Sequence, residues 1–191
     1  MKRLFIAIQI PFDNKFVTAY QSLIQSSNKL DKINWIKPEN MHITLKFLGE
    51  TTPDLISSIE NSIEKLTNCI APFEITLNRI GAFGSRYHPR IIWLGSDDII
   101  NEINMLHKEL EKSMRAFGFK PSFGNFVPHA TLARIHKIDD KKYFWNEIEK
   151  KASLFSFTFQ VNEIVLFESI LTNAFTPLYK KQKIFYLKIR K

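Results

Sequence analysis

His42-Ile43-Thr44-Leu45 and His129-Ala130-Thr131-Leu132 are near-copies of one four-residue string, in a chain that has only five histidines. In a strand, alternate side chains share a face. His42 and Thr44 then point one way while Ile43 and Leu45 point the other, and His129 and Thr131 divide from Ala130 and Leu132 in the same manner. Each strand would bury its apolar residues in a core and offer an imidazole and a hydroxyl to a cleft.

The elements around the two strings recur in order. Leu4 to Ile10 reads as an opening strand that stops at Pro11. Asn14 to Ser27 has helical spacing, with Phe16, Tyr20, Leu23 and Ile24 on one face and Asp13 as its N-cap. Ile33 to Ile36 reads as a short strand, and His42 to Leu48 as the strand carrying the first string. Pro53 to Leu66 follows as a helix, with Thr52 at its cap and Pro53 in the first position. Phe73 to Ile80 and Arg90 to Leu94 read as strands, separated by a loop from Gly81 to Pro89. In the second half, Ile99 to Phe117 is a helix with Ile103, Leu106, Leu110 and Met114 in register, ended by Gly118. His129 to Ile135 is a strand and Asp139 to Lys150 a helix. Phe155 to Gln160, Glu163 to Phe167, Phe175 to Tyr179 and Lys183 to Lys188 are strands. Each histidine strand thus sits between helices at the same point of its half. This is the pattern of one bilobal domain duplicated across approximate halves 1–97 and 98–191.

Composition sets the outer limits. The chain has 191 residues, 45% of them hydrophobic and 17 of them Phe, and a formal charge of +8. It is globular in character and suited to a polyanionic partner such as nucleic acid or nucleotides. The single cysteine, Cys69, rules out an intramolecular disulfide and reads as buried packing among Ile70 and Ala71. The N-terminal apolar run is short for a signal peptide, and no stretch approaches a membrane span. A cytoplasmic monomer with no membrane partner is expected.

Paired histidines have one obvious chemistry. The imidazole pKa lies nearest neutrality, so one neutral ring can take a proton from a nucleophile while one imidazolium protonates a leaving group. The threonine hydroxyls suit donation to an oxyanion such as a phosphoryl oxygen. A zinc site would need three or four clustered ligands. No H-x-x-x-H, H-E-x-x-H or C-x-x-C string occurs, so no metal and no cofactor is expected. His88, His107 and His136 lack the Thr-Leu context and read as surface or loop residues, with His107 on a solvated helix face beside Lys108. Lys46 shares the parity of His42, which puts it at the cleft rim or in solvent. Arg134 falls on the opposite parity to His129 and reaches the cleft only if the strand ends or bulges.

These strings, with Arg3-Leu4-Phe5-Ile6-Ala7-Ile8, Pro38, Phe47, Leu48-Gly49-Glu50, Pro89-Arg90, Trp93-Leu94-Gly95, Pro128, Ala133-Arg134, Glu168-Ser169 and Thr176-Pro177-Leu178-Tyr179, resemble the two-histidine (2H) phosphoesterase superfamily. Within it, the chain looks like the LigT/ThpR-type RNA 2′,3′-cyclic phosphodiesterases. Asn173-Ala174-Phe175 departs from that family's usual Gly and Tyr before the Thr-Pro. The resemblance implies an α+β fold in which two largely antiparallel sheets face a central cleft, with helices outside. It implies metal-independent opening of a ribose 2′,3′-cyclic phosphate on RNA or a nucleotide, leaving a 2′-phosphate. By the same resemblance His42 is the proton donor, His129 the proton acceptor, and Thr44, Thr131 and Arg134 bind substrate. Symmetry alone does not tell donor from acceptor. A small cyclic nucleotide, a 2′-5′ linkage, RNA-end joining and non-catalytic RNA binding stand as alternatives.

Overall fold

A computed structural model describes residues 1–85, 87–171 and 177–189, apart from the side chain of Ile189. Asn173-Ala174-Phe175 and Thr176 lie outside the described residues. The first half runs β1 (Lys2–Gln9), α1 (Asn14–Ile24), β2 (Lys32–Trp35), a 3-10 turn (Pro38–Asn40), β3 (His42–Thr51), α2 (Pro53–Thr67), β4 (Cys69–Ile70), β5 (Phe73–Leu77), β6 (Arg79–Gly84) and β7 (Pro89–Gly95). The second half runs α3 (Asn101–Arg115), β8 (His129–Lys137), α4 (Lys141–Ala152), β9 (Phe157–Val161), β10 (Glu163–Ile170), β11 (Leu178–Tyr186) and β12 (Lys188–Ile189).

The fold is α+β, as expected. Two antiparallel groups of strands carry the cleft: β11-β10-β1-β3 on one side, and β6-β7-β8 with β2 on the other. They touch where β3 meets β8, through the pair Ile43 and Ala130. The chain interleaves: β6 and β7 pair into the group of β8, while β10 and β11 pair into the group of β1. Each histidine strand therefore sits at the seam and not at an outer edge.

The helices form where capping and periodicity agree. Asp13 accepts from the Phe16 amide at 2.6 Å and Asp140 from the Tyr143 amide at 2.9 Å, satisfying donors that a helix start leaves unpaired. Thr52 stands at the N-cap of α2 without a side-chain cap bond, and Pro53 follows at the first position. The stripes Phe16, Tyr20 and Leu23 of α1 and Ile103, Leu106, Leu110 and Met114 of α3 join Leu4, Ile6, Ile8, Ile43, Leu45, Ala130 and Leu132 in one core. Each Leu, Ile, Phe or Met side chain among them contributes about 1.5–3 kcal/mol when fully buried. A smaller cluster of Phe5, Ala7, Val165 and Phe167 covers the opposite face of β1 and β10.

Three expectations fail here for physical reasons. The stretch from Gly81 is not a loop: β6 continues to Gly84, because the Trp93 indole lies across Gly81 where a Cβ would sit 2.1 Å from Trp93 Cζ2. Phe73 to Ile80 is not one strand. It breaks at Asn78, so that β5 pairs with β9 and β6 with β7. Cys69 is exposed, since Ile70 takes the inward position of the short β4. Among the described residues no helix is long and apolar enough to cross a membrane.

Candidate active site

The alternation in the two strings holds. Ile43, Leu45, Ala130 and Leu132 are at most 1% exposed, while His42, Thr44, His129 and Thr131 line one cavity of about 350 Å³. The antiparallel register about Ile43 and Ala130 runs His42 towards Thr131 and Thr44 towards His129. The two imidazoles are set diagonally, each beside the hydroxyl of the other strand.

Beyond Leu45 and Leu132 the alternation breaks, in the same way on both strands. On β3, Thr44 pairs with Ala7 and Lys46 with Ile6, so Leu45 has no partner on β1. On β8, Thr131 pairs with Trp93 and Ala133 with Ile92, so Leu132 has none on β7. Each is a bulge, in which one extra residue reverses the parity of the residues next along the strand. Phe47 and Arg134 therefore return to the cleft, and both line the cavity.

Each bulge carbonyl is met by a side chain of the helix that precedes the other histidine strand. His107 of α3 donates from Nδ1 to Leu45 O at 2.7 Å. Tyr20 Oη of α1 lies 2.8 Å from Leu132 O and 2.7 Å from Ile36 O, and its one proton serves either. Burial holds the Tyr20 phenol well above its ordinary pKa, so it stays a donor. One constant interval relates 20 to 107, 42 to 129, 44 to 131, 45 to 132 and 47 to 134. His107 is thus no solvated residue: it is half-buried and stacked on Phe126 at 3.8 Å between ring centroids.

The same bulge corrects Lys46. It lies on the core side with Ile6, only 2% exposed. Its ammonium donates to Glu111 Oε2 at 2.8 Å and to Lys120 O at 2.7 Å. Glu111 in turn accepts from the Ser122 amide and hydroxyl. Burial alone would raise the Glu111 carboxyl, but hydrogen bonds from Lys46 and Ser122 and the Lys46 charge hold it below the ordinary range. This pair ties β3 to the segment that leads into His129.

The two imidazoles are held alike. His42 Nδ1 lies 2.7 Å from Asn40 O, and His129 Nδ1 lies 2.7 Å from Val127 O. A carbonyl only accepts, so each Nδ1 carries the proton and each Nε2 is left for exchange. Tyr179 meets the His42 ring edge-on at 5.1 Å and Phe5 lies at 4.9 Å; Phe83 meets His129 edge-on at 4.8 Å. Burial drives the His42 pKa down to about 4, against a raising hydrogen bond to Asn40 and with further lowering from His129 and Arg134. Burial first, and Arg134 second, also lower His129, against the bond to Val127. Burial thus favours the neutral form of both rings.

Arg3, Ser169 and Tyr179 also line the cavity and were not among the expected site residues. Arg3 shares the parity of Phe5 on β1, opposite Leu4 and Ile6, and that alternation was the available signal. Tyr179 arrives from β11 across the fold, which no local pattern reveals. Among the described residues no three His, Cys, Asp or Glu side chains cluster as a metal site requires.

An open α+β fold with two matched histidine strands lining one cleft defines a phosphoesterase-like architecture. The family model for LigT-like phosphoesterases matches residues 13–93 and again 94–176. The chain belongs to that family. A Methanocaldococcus jannaschii relative named RNA 2′,3′-cyclic phosphodiesterase is 35% identical over 93% of this chain and 96% of its own. An Aquifex aeolicus protein of the same name is 33% identical over 80% and 81%. Among solved structures, a Thermus thermophilus protein superposes with a TM-score of 0.76 at 21% identity, covering 99% of this chain and 100% of that one. Escherichia coli LigT in complex with 3′-AMP does so at 0.71 and 20%, covering 97% and 98%.

Proposed function

We propose that this protein hydrolyses the 2′,3′-cyclic phosphate at RNA ends to a 2′-phosphate, without a metal. The observation that carries the reading is the pair of imidazoles on one cavity, each with Nδ1 tied to a main-chain carbonyl and Nε2 without a hydrogen-bond partner among the described residues. The names of the curated relatives support the substrate. One bilobal unit, with halves 1–97 and 98–191 each supplying one histidine and one threonine, suffices for the site.

In this mechanism His129 Nε2 takes a proton from water as the water oxygen bonds to phosphorus. The bond from phosphorus to the 3′ oxygen breaks, and His42 Nε2 gives that oxygen its proton. Thr44, Thr131 and Arg134 hold the non-bridging oxygens, where charge develops. His42 must be protonated to act as the donor. The phosphate supplies the missing push: a bound anion favours the imidazolium that burial disfavours. The donor and acceptor assignment follows the family resemblance.

The test is hydrolysis of single-stranded RNA ending in a 2′,3′-cyclic phosphate, with excess EDTA present, together with identification of the product end. The expected product is the 2′-phosphate at a rate EDTA does not change. No turnover contradicts the activity, EDTA sensitivity contradicts metal independence, and a 3′-phosphate product contradicts the leaving group.

A further inference from the structure

A second groove, of about 710 Å³, adjoins the catalytic cavity and shares Arg134 and Ile91 with it. It runs between the β6–β7 turn, the start of β7, the far end of β8 and the first residue of α4. Its polar lining is basic: Arg90, Arg134, Lys137 and Lys141, with His88 and His136. Among the described residues no Asp or Glu lines it. Lys137 is partly offset by Asp139 at 3.7 Å. Among the described residues no carboxylate pairs with Arg90, Arg134 or Lys141. Their charges are exposed to solvent and unspent on the fold. Tyr87, 76% exposed, stands at the groove with its ring open.

We propose that this groove binds the sugar-phosphate backbone of the RNA strand upstream of the reacting end; this rests on the RNA reading above. The argument is one of continuity and sign. An RNA strand whose terminal phosphate sits between His42 and His129 must leave the cavity past some wall. The wall at Arg134 borders a trough lined by Arg90, Arg134, Lys137 and Lys141. Backbone phosphates are recognised there by Arg and Lys without regard to sequence. A free aromatic ring beside such a trough is a stacking platform for an unpaired base. The occupant is thus a single strand and not a mononucleotide, which would leave the groove empty.

Arg90 and Lys141 test this, since both are exposed and neither lines the catalytic cavity. The substrates are a cyclic mononucleotide and an RNA of about twelve nucleotides, each ending in a 2′,3′-cyclic phosphate. The double variant Arg90→Ala/Lys141→Ala should raise KM for the oligomer roughly tenfold and leave the mononucleotide unchanged. The slope of log(1/KM) against log salt for the oligomer should become shallower by about 1.4, two single-strand phosphate contacts. Arg90→Lys/Lys141→Arg should restore both. Equal losses on the two substrates, or no change on either, overturn the proposal. So does Arg90- and Lys141-dependent binding to phosphatidylserine vesicles with RNA unaffected. Should the wild type turn over neither substrate, the hydrolytic reading falls. The groove is then judged by fluorescence anisotropy with a labelled 3′-phosphorylated oligomer: affinity lost in the double variant upholds it, and affinity unchanged overturns it.

Discussion

His107 Nδ1 lies 2.7 Å from the Leu45 carbonyl oxygen, as Tyr20 Oη lies 2.8 Å from that of Leu132. These two bonds sit at equivalent places on two strands of one cleft, and both close a bulge. The bulges turn Phe47 and Arg134 towards the phosphate site and Lys46 towards the core. The helices before the histidine strands thus do more than cover the sheet: each fixes the backbone immediately beyond a His-x-Thr pair.

Tyr20→Phe removes one of these clamps while keeping the ring. Leu132 O retains the Ile36 amide at 2.8 Å, so the cost should be about 1 kcal/mol, the low end for a buried carbonyl that loses a partner. His107→Leu strips Leu45 O of its side-chain donor and should cost about 2 kcal/mol. Urea melts with unchanged m-values check both. Loss of kcat/KM for cyclic-phosphate RNA should exceed what the unfolded fraction explains.

Lys46→Met leaves Glu111 charged without its cation and should cost about 3 kcal/mol. The Glu111 carboxyl is held low in the fold, so the stability it contributes is present above its unfolded pKa, about 4.3, and is lost as pH falls through the lower folded value. Acid unfolding of Lys46→Met should therefore be less steep in that range. Amide exchange at Ser122, which donates to Glu111, should accelerate.

The depressed histidines give the kinetics a signed pH dependence. In the free enzyme the imidazolium is disfavoured, so kcat/KM should fall with rising pH already below neutrality. Bound phosphate raises the donor pKa, and the falling limb of kcat should lie at higher pH than that of kcat/KM. Coincident limbs would show that substrate charge does not set the donor.

Gly81→Ala drives a methyl against the Trp93 indole, at 2.1 Å from Cζ2. Trp93 must then move, and with it the support of the His129 ring, 6.3 Å away between centroids. A loss of about 1–3 kcal/mol in thermal or urea melts is expected, as for an overpacked core.

The histidines, the threonines and their inward neighbours were legible because strand parity is a local property. Asp13 and Pro53 likewise announced their helices through chemistry confined to one turn. Lys46, Arg134 and Phe47 were not legible in full, because their facing depends on an extra residue that only the partner strand reveals. His107 looked solvated beside Lys108 since its acceptor, Leu45 O, lies far away in the chain. Gly81 looked like a turn residue until the indole that requires it was in place. Arg3 and Tyr179 reach the cleft from strands near opposite ends of the chain.

The central claim is that His42 and His129 divide donor and acceptor roles. The pH–rate profile of kcat/KM for His42→Ala and His129→Ala, on cyclic-phosphate RNA, tests it most directly. Each variant should lose roughly 10²- to 10⁴-fold at the wild-type optimum while melting as a folded protein. His42→Ala should lose the falling limb and His129→Ala the rising limb. A single variant that keeps wild-type activity and a two-sided profile contradicts the account.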